Sequence, residues 1–157
     1  MKEDIRFMRL ALEEAQKAAE EGEVPIGAVV VRDGIVIASA HNTRERQKNA
    51  THHAELLAID AACKALGGWR LWECDLYVTL EPCPMCAGAI INSRVRRVVY
   101  GAKDAKAGFC GSVADLFAMP FNHAPLVQSG VLAEECTALL QAFFVKLREK
   151  RQKYAAE

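Results

Sequence analysis

No stretch of this sequence stays apolar over the roughly 20 residues needed to cross a bilayer, so no membrane-spanning segment is expected. The amino end, Met1-Lys2-Glu3-Asp4-Ile5-Arg6, is too charged for a secretory signal, and a cytoplasmic protein is the expectation. Net charge is absent as well. Twenty basic side chains balance twenty acidic ones, which argues against a general, charge-driven nucleic-acid binder. There is no internal repeat, no low-complexity segment and no linker-like stretch. A chain of 157 residues, 52% of them apolar, therefore fits a single domain over residues 1–157 with an ordinary core.

Six cysteines are present. Without an export signal they are expected to be thiols or metal ligands and not disulfides. Charge, although balanced, is unevenly spread. Residues 1–23 hold four basic and seven acidic side chains, whereas Lys146, Arg148, Lys150, Arg151 and Lys153 meet only Glu149 in their stretch. Such a basic run is either a solvated helix face or a contact for phosphates.

Apolar residues at Ile5, Met8, Leu12, Ala15 and Ala19 recur at helical spacing and predict an opening helix that Gly22 stops. Two β-branched runs, 26–31 and 35–40, flank Asp33-Gly34 and predict an antiparallel hairpin with a tight turn. Thr51 is a candidate cap for a helix running to Gly67-Gly68, and residues 76–80 read as a strand. Pro82 would open a helix through Ile91, followed by a strand over 95–100, a span suited to a parallel crossover. Beyond a glycine-containing loop come a short helix over 113–118, a last strand over 126–132 and a closing helix over 134–154. The order predicts an α/β fold, a three-layer α/β/α sandwich around a mixed sheet.

Two motifs carry chemistry. In Pro82-Cys83-Pro84-Met85-Cys86 the thiols are three apart at a helix start, where free N–H groups and the helix dipole favour thiolates. In Thr51-His52-His53-Ala54-Glu55 an imidazole and a carboxylate lie two apart. On a regular helix they would diverge, so the spacing suits a metal lying off the helix end, bound by His53, with Glu55 reaching round to a water. Structural zinc closes its shell with four protein ligands, whereas catalytic zinc keeps one position open. The convincing ligands, His53, Cys83 and Cys86, number three. A fourth would have to be His41, His52, His123, Cys63, Cys74, Cys110 or Cys136, none with a partner at ligand spacing; the spare cysteines read as buried hydrophobes. Catalytic Zn²⁺ is the expectation, with Glu55 as the proton shuttle.

His53-Ala54-Glu55 and Pro82-Cys83-Pro84-Met85-Cys86 resemble the H-x-E and P-C-x-x-C signature of zinc nucleobase deaminases. The longer string Tyr77-Val78-Thr79-Leu80-Glu81-Pro82-Cys83, with residues 23–28, His41-Asn42, 97–102, Phe121-Asn122-His123 and Phe143-Phe144, is similar to bacterial tRNA-specific adenosine deaminases across nearly the whole chain. The resemblance implies a cytidine-deaminase-like fold, a homodimer with one zinc per subunit, and conversion of adenosine to inosine at the wobble position of a tRNA anticodon. It further implies substrate contacts by Asn42 to the purine edge, by Asp104 to the ribose of the preceding nucleotide, and by Phe144 and Arg148 to the anticodon loop. The chain departs from the family pattern at His52, where a small residue is usual, at Ala124, where a basic one is, and at Ala107-Gly108-Phe109. Three other readings use the same residues: a deaminase of a free nucleobase, nucleoside or nucleotide, a non-catalytic zinc-stabilised RNA-binding module, and a thiol oxidoreductase using Cys83 and Cys86.

Overall fold

The structure, a computed structural model, describes residues 1–156. In chain order it runs α1 (Lys2–Glu20), β1 (Gly27–Arg32), β2 (Ile35–His41), α2 (Ala54–Leu66), β3 (Cys74–Leu80), α3 (Pro84–Asn92), β4 (Arg97–Ala102), a 3₁₀ turn (Leu116–Ala118), β5 (Leu126–Ser129) and α4 (Ala133–Ala155). The sheet order is β2-β1-β3-β4-β5. β1 pairs antiparallel with both β2 and β3, while β3–β4 and β4–β5 are parallel. This is the mixed sheet expected.

The sheet carries a hydrophobic core on each face. One joins Val30, Leu76, Val78 and Val98 to Ala58 and Ala62 of α2 and Ile90 of α3. The other joins Val29, Tyr77 and Val99 to Phe7, Met8 and Ala11 of α1 and Cys136 of α4. Helices thus cover both faces of one sheet, giving three layers.

The hairpin turn is as the sequence predicts. Asp33 and Gly34 have φ of 50° and 74°, the pair of positive angles that lets a two-residue turn follow the strand twist. α1 differs in detail, because its buried stripe is Asp4, Phe7, Met8, Ala11, Ala15 and Ala18, leaving Ile5, Leu12 and Ala19 only half-buried. The helix lies so close to β1 that a Cβ on Gly27 would meet Ala11 O at 2.0 Å and Ala15 N at 2.5 Å. Small residues must therefore face the strand.

Other boundaries shift for local reasons. Thr51 caps nothing; its N–H and hydroxyl both turn back to Asn49 Oδ1, and His53 takes the N-cap position of α2. α3 starts at Pro84, since Cys83 is still extended and Pro82 O accepts from Phe109 N at 2.9 Å. β4 starts at Arg97, because Val95 N is taken by Ile90 O in the turn that closes α3. The short helix shrinks to the 3₁₀ turn, capped by Asp115, and β5 ends at Ser129 where Gly130 and Leu132, both with positive φ, swing the chain into α4.

A half-buried ion pair ties α1 to the sheet. The Asp4 carboxylate accepts from Arg97 Nη1 and Nη2 at 2.9 and 2.8 Å and from the Tyr77 hydroxyl at 2.8 Å. The Arg97 guanidinium, with help from Tyr77, outweighs burial and holds the Asp4 carboxyl below its ordinary range. Because the folded value lies below the unfolded one of about 3.9, the contribution is complete above that pH and is lost as pH falls through the folded value. Asp4→Asn should cost about 1–3 kcal/mol at neutral pH. The deficit should narrow below about pH 4, as read from urea midpoints of the two proteins compared across pH.

Candidate active site

α2 and α3 begin beside the carboxyl end of β3, and their N-cap residues are His53 and Cys83. Both are extended, with ψ of 152° and 174°, and neither side chain caps its own helix. The imidazole and the thiol are therefore free to face each other, and Cys86 joins them from the first turn of α3. His53 Nδ1 lies 3.5 Å from Cys83 Sγ and 3.6 Å from Cys86 Sγ. A tetrahedral zinc centre with Zn–S of about 2.3 Å and Zn–N of about 2.0–2.1 Å has N···S edges of about 3.5–3.6 Å, so the donors already stand at ligand spacing.

Among the described residues no fourth side chain joins this group. The other histidines are engaged elsewhere. His41 sets its two ring nitrogens against Glu14 and Glu21, His52 faces Gln47 Oε1, and His123 Nε2 contacts Val95 O at 2.7 Å. Cys74, Cys110 and Cys136 are buried free thiols, as expected of core cysteines, while Cys63 is half-buried. Three donors would leave one tetrahedral position for a ligand that is not protein, the pattern of catalytic rather than structural zinc.

The three donors also act on one another's protons. A hydrogen bond from Cys86 and the neighbouring imidazole draw the Cys83 thiol down to about 4, against the opposing effect of burial. Cys86 is pushed up, since it donates to Cys83 and is buried. The hydrogen bond to Cys83 raises His53 in turn. Glu55, in the first turn of α2, is 4% exposed, and burial, helped by the nearby Cys83 charge, pushes its carboxyl up to about 7.

His53 opens onto a cleft of about 490 Å³ whose walls include Asn42, Arg44, Asp104, Lys106 and Phe144. Arg148 lines a groove that shares Lys106 and Phe144 with the cleft. Of the eight residues singled out in the sequence, Asn42, His53, Asp104 and Phe144 line the cleft, Arg148 lines the adjoining groove, and Cys83, Cys86 and Glu55 stand beside His53. Asn42 is held locally, its Nδ2 donating to Val24 O at 3.3 Å and its Oδ1 accepting from Arg44 N at 3.1 Å. Its amide keeps a second N–H and a second lone pair for a ligand. Asp104 Oδ1 accepts from Lys106 N and Ala107 N, shaping the loop after β4. Phe143 is half-buried and Phe144, 40% exposed, faces the cleft, so the two adjacent rings divide between helix packing and solvent.

Arg44, Lys103 and Lys106 also line the cleft, although sequence reasoning did not select them. The signal available was topological: loops at the carboxyl ends of the parallel strands β3 and β4 are where an open α/β sheet binds ligands. Two buried carboxylates hold these walls. Glu23 accepts from Glu45 N and Arg46 N at 2.9 and 2.8 Å and so pins the segment between β2 and α2. Glu81 does the same for the loop after β4 through Asp104 N, Cys110 N, Ser112 N and the Ser112 hydroxyl.

A mixed five-stranded sheet with a His-Cys-Cys group and a buried glutamate at paired helix starts defines a hydrolytic deaminase. A sequence model of the MafB19-like deaminase family matches residues 2–148. The chain is 56% identical to the tRNA-specific adenosine deaminase of Bacillus subtilis (strain 168), over 97% of this chain and 95% of the relative. It is 51% identical to that of Agrobacterium fabrum, over 96% and 98%. A solved structure from work on A-to-I editing by tRNA:A34 deaminases superposes with a TM-score of 0.81 at 49% identity, covering 85% of this chain and 98% of that one. A guanine deaminase from Nitrosomonas europaea follows the same fold at TM-score 0.75 and 27% identity, over 88% and 83%. The chain belongs to the tRNA-specific adenosine deaminase family.

Removing any one donor should empty the metal group. His53→Ala, Cys83→Ala and Cys86→Ala should each drop bound metal from about one ion per chain to near none, while Glu55→Gln keeps it, by atomic emission on dialysed protein.

Proposed function

We propose that the protein removes the 6-amino group of adenosine at the wobble position of a tRNA anticodon by hydrolysis, giving inosine and ammonia. The observation that carries this is a three-donor His-Cys-Cys group, with Glu55 beside it, opening onto a cleft with an aromatic and basic outer wall. One zinc ion per chain, held by His53, Cys83 and Cys86, would supply Lewis acidity that makes water a competent nucleophile at neutral pH. Two thiolates and an imidazole are the borderline-soft donors this ion takes.

Glu55 is the acid–base group. Its carboxylate takes a proton from the water that attacks C6 and passes it to purine N1 as C6 becomes tetrahedral; it then takes the proton of the new C6 hydroxyl and delivers it to the amine as the C6–N bond breaks, leaving the C6 carbonyl and ammonia. Burial in the first turn of α2 keeps the carboxyl out of bulk solvent. Asn42 contacts the purine edge and Asp104 the ribose of the preceding nucleotide. Phe144 stacks on an unpaired base and Arg148 meets a phosphate, the contacts expected for a splayed RNA loop. Along α4, Lys146, Lys150, Arg151 and Lys153 are exposed and supply attraction without specificity. Pairing of two copies, and a cytoplasmic location, belong to the same reading and rest on the family resemblance.

Wild-type protein should form inosine in an anticodon stem-loop with adenosine at the wobble position, by nuclease digestion and chromatography. Glu55→Ala should lower turnover by about 10²- to 10⁴-fold or more. Ammonia release from free guanine or cytosine, with no product in RNA, would instead indicate a small-base deaminase. Phe144→Ala should raise KM for the stem-loop about 5- to 150-fold while leaving kcat near wild type, the loss expected of one base–aromatic stack.

A further inference from the structure

The loop after β4 presents Lys103, Asp104, Ala105 and Lys106 to the cleft, yet its backbone forms no strand or helix that would fix its height above the metal group. Its anchors converge on one side chain. Glu81 is 2% exposed, and its Oε1 accepts from Asp104 N at 3.1 Å and from the Ser112 hydroxyl, while its Oε2 accepts from Cys110 N at 3.0 Å and Ser112 N at 3.1 Å. The main chain adds Glu81 N to Ala102 O at 2.8 Å and Phe109 N to Pro82 O at 2.9 Å. Gly108 completes the enclosure. A Cβ there would stand 2.4 Å from Glu81 Cδ and Oε2 and 2.5 Å from Asp104 O.

We infer that Glu81 is a positioning residue: standing two places before Cys83, it sets where the 103–106 wall stands relative to the metal group and thereby how tightly RNA is held. The inference rests on the proposed RNA substrate. A carboxylate suits the task because it only accepts, and all four of its partners donate. An amide would bring its own donors to one side, and either side carries at least one backbone N–H, so glutamine leaves an N–H of the loop facing a donor. The loop then shifts, while β3, which ends at Leu80, and α3, which starts at Pro84, keep their own ladder and helix hydrogen bonds.

The test is steady-state kinetics on the anticodon stem-loop for wild type, Glu81→Gln, Glu81→Asp, which withdraws the acceptors by one methylene, and Gly108→Ala, which keeps the carboxylate but crowds it. Metal content, and hydrogen exchange at the amides of Asp104, Cys110 and Ser112, are measured on the same preparations. Each variant should raise KM by about tenfold or more with kcat within about threefold and metal content unchanged. Exchange should rise at those three amides. Lys106→Ala should cost less in the Glu81→Gln background than in wild type, because the displaced wall no longer presents that lysine. A fall of kcat and metal content together at unchanged KM would overturn the inference by assigning Glu81 to the thiolates. Unchanged kinetics and exchange would overturn it by showing that the loop stands without it. Absence of inosine from wild type would instead strike the proposed function, and the exchange data, which need no substrate, would still report on Glu81.

Discussion

The site depends on two helices beginning at one place. α2 and α3 are separated in sequence by a whole strand, yet their first residues bring an imidazole and two thiols to within 3.5–3.6 Å. β3 makes this possible, since α3 departs from its carboxyl end while α2 packs on the same sheet face through Ala58 and Ala62. Helix starts also concentrate unpaired N–H groups and positive dipole ends, which favour the thiolate form of Cys83. Had His53 and Glu55 both lain inside a regular helix, their side chains would point apart; with His53 at the cap, the imidazole turns outward and the carboxylate stays within.

Around that fixed point the protein spends buried negative charge on loops. Glu23 and Glu81 are 1% and 2% exposed, and each has its oxygens filled by backbone N–H groups of an irregular segment. A buried carboxylate without such partners would be costly; with them, it gives a loop the order that a strand ladder would otherwise supply. Both segments contribute to the cleft, one through Asn42 and Arg44 and the other through residues 103–106, so acceptors hidden behind it help to set its shape.

Much of this was legible from residue pattern alone. The Asp33-Gly34 turn, the strand–helix–strand crossover and the His53, Glu55, Cys83 and Cys86 group follow from local rules of spacing, turn chemistry and helix starts, and the structure sets them where those rules imply. The misplacements have specific causes, most of them hydrogen bonds made by neighbouring residues that simple periodicity does not see. Val95 was withheld from β4 by Ile90, Thr51 was turned away by Asn49, and the stripe of α1 was rotated by the close approach of Gly27. Arg44, Lys103 and Lys106 escaped notice for a different reason, since nothing in their own neighbourhoods marks them until the sheet assembles the cleft.

The attachment of α4 has a mechanical consequence. Of its 23 residues only Cys136, near its start, is buried, seated against Gly101 where a Cβ would stand 2.4 Å from its sulfur. Phe144 and Arg148 lie two to three turns beyond that anchor. Helix segments with few buried contacts open at lower free energy than those locked in a core. The cleft therefore pairs an unyielding floor, built from helix starts and sheet, with a compliant outer rail. Stiffness is concentrated where bonds are broken, and give is reserved for the side that must accommodate a polymer of variable curvature.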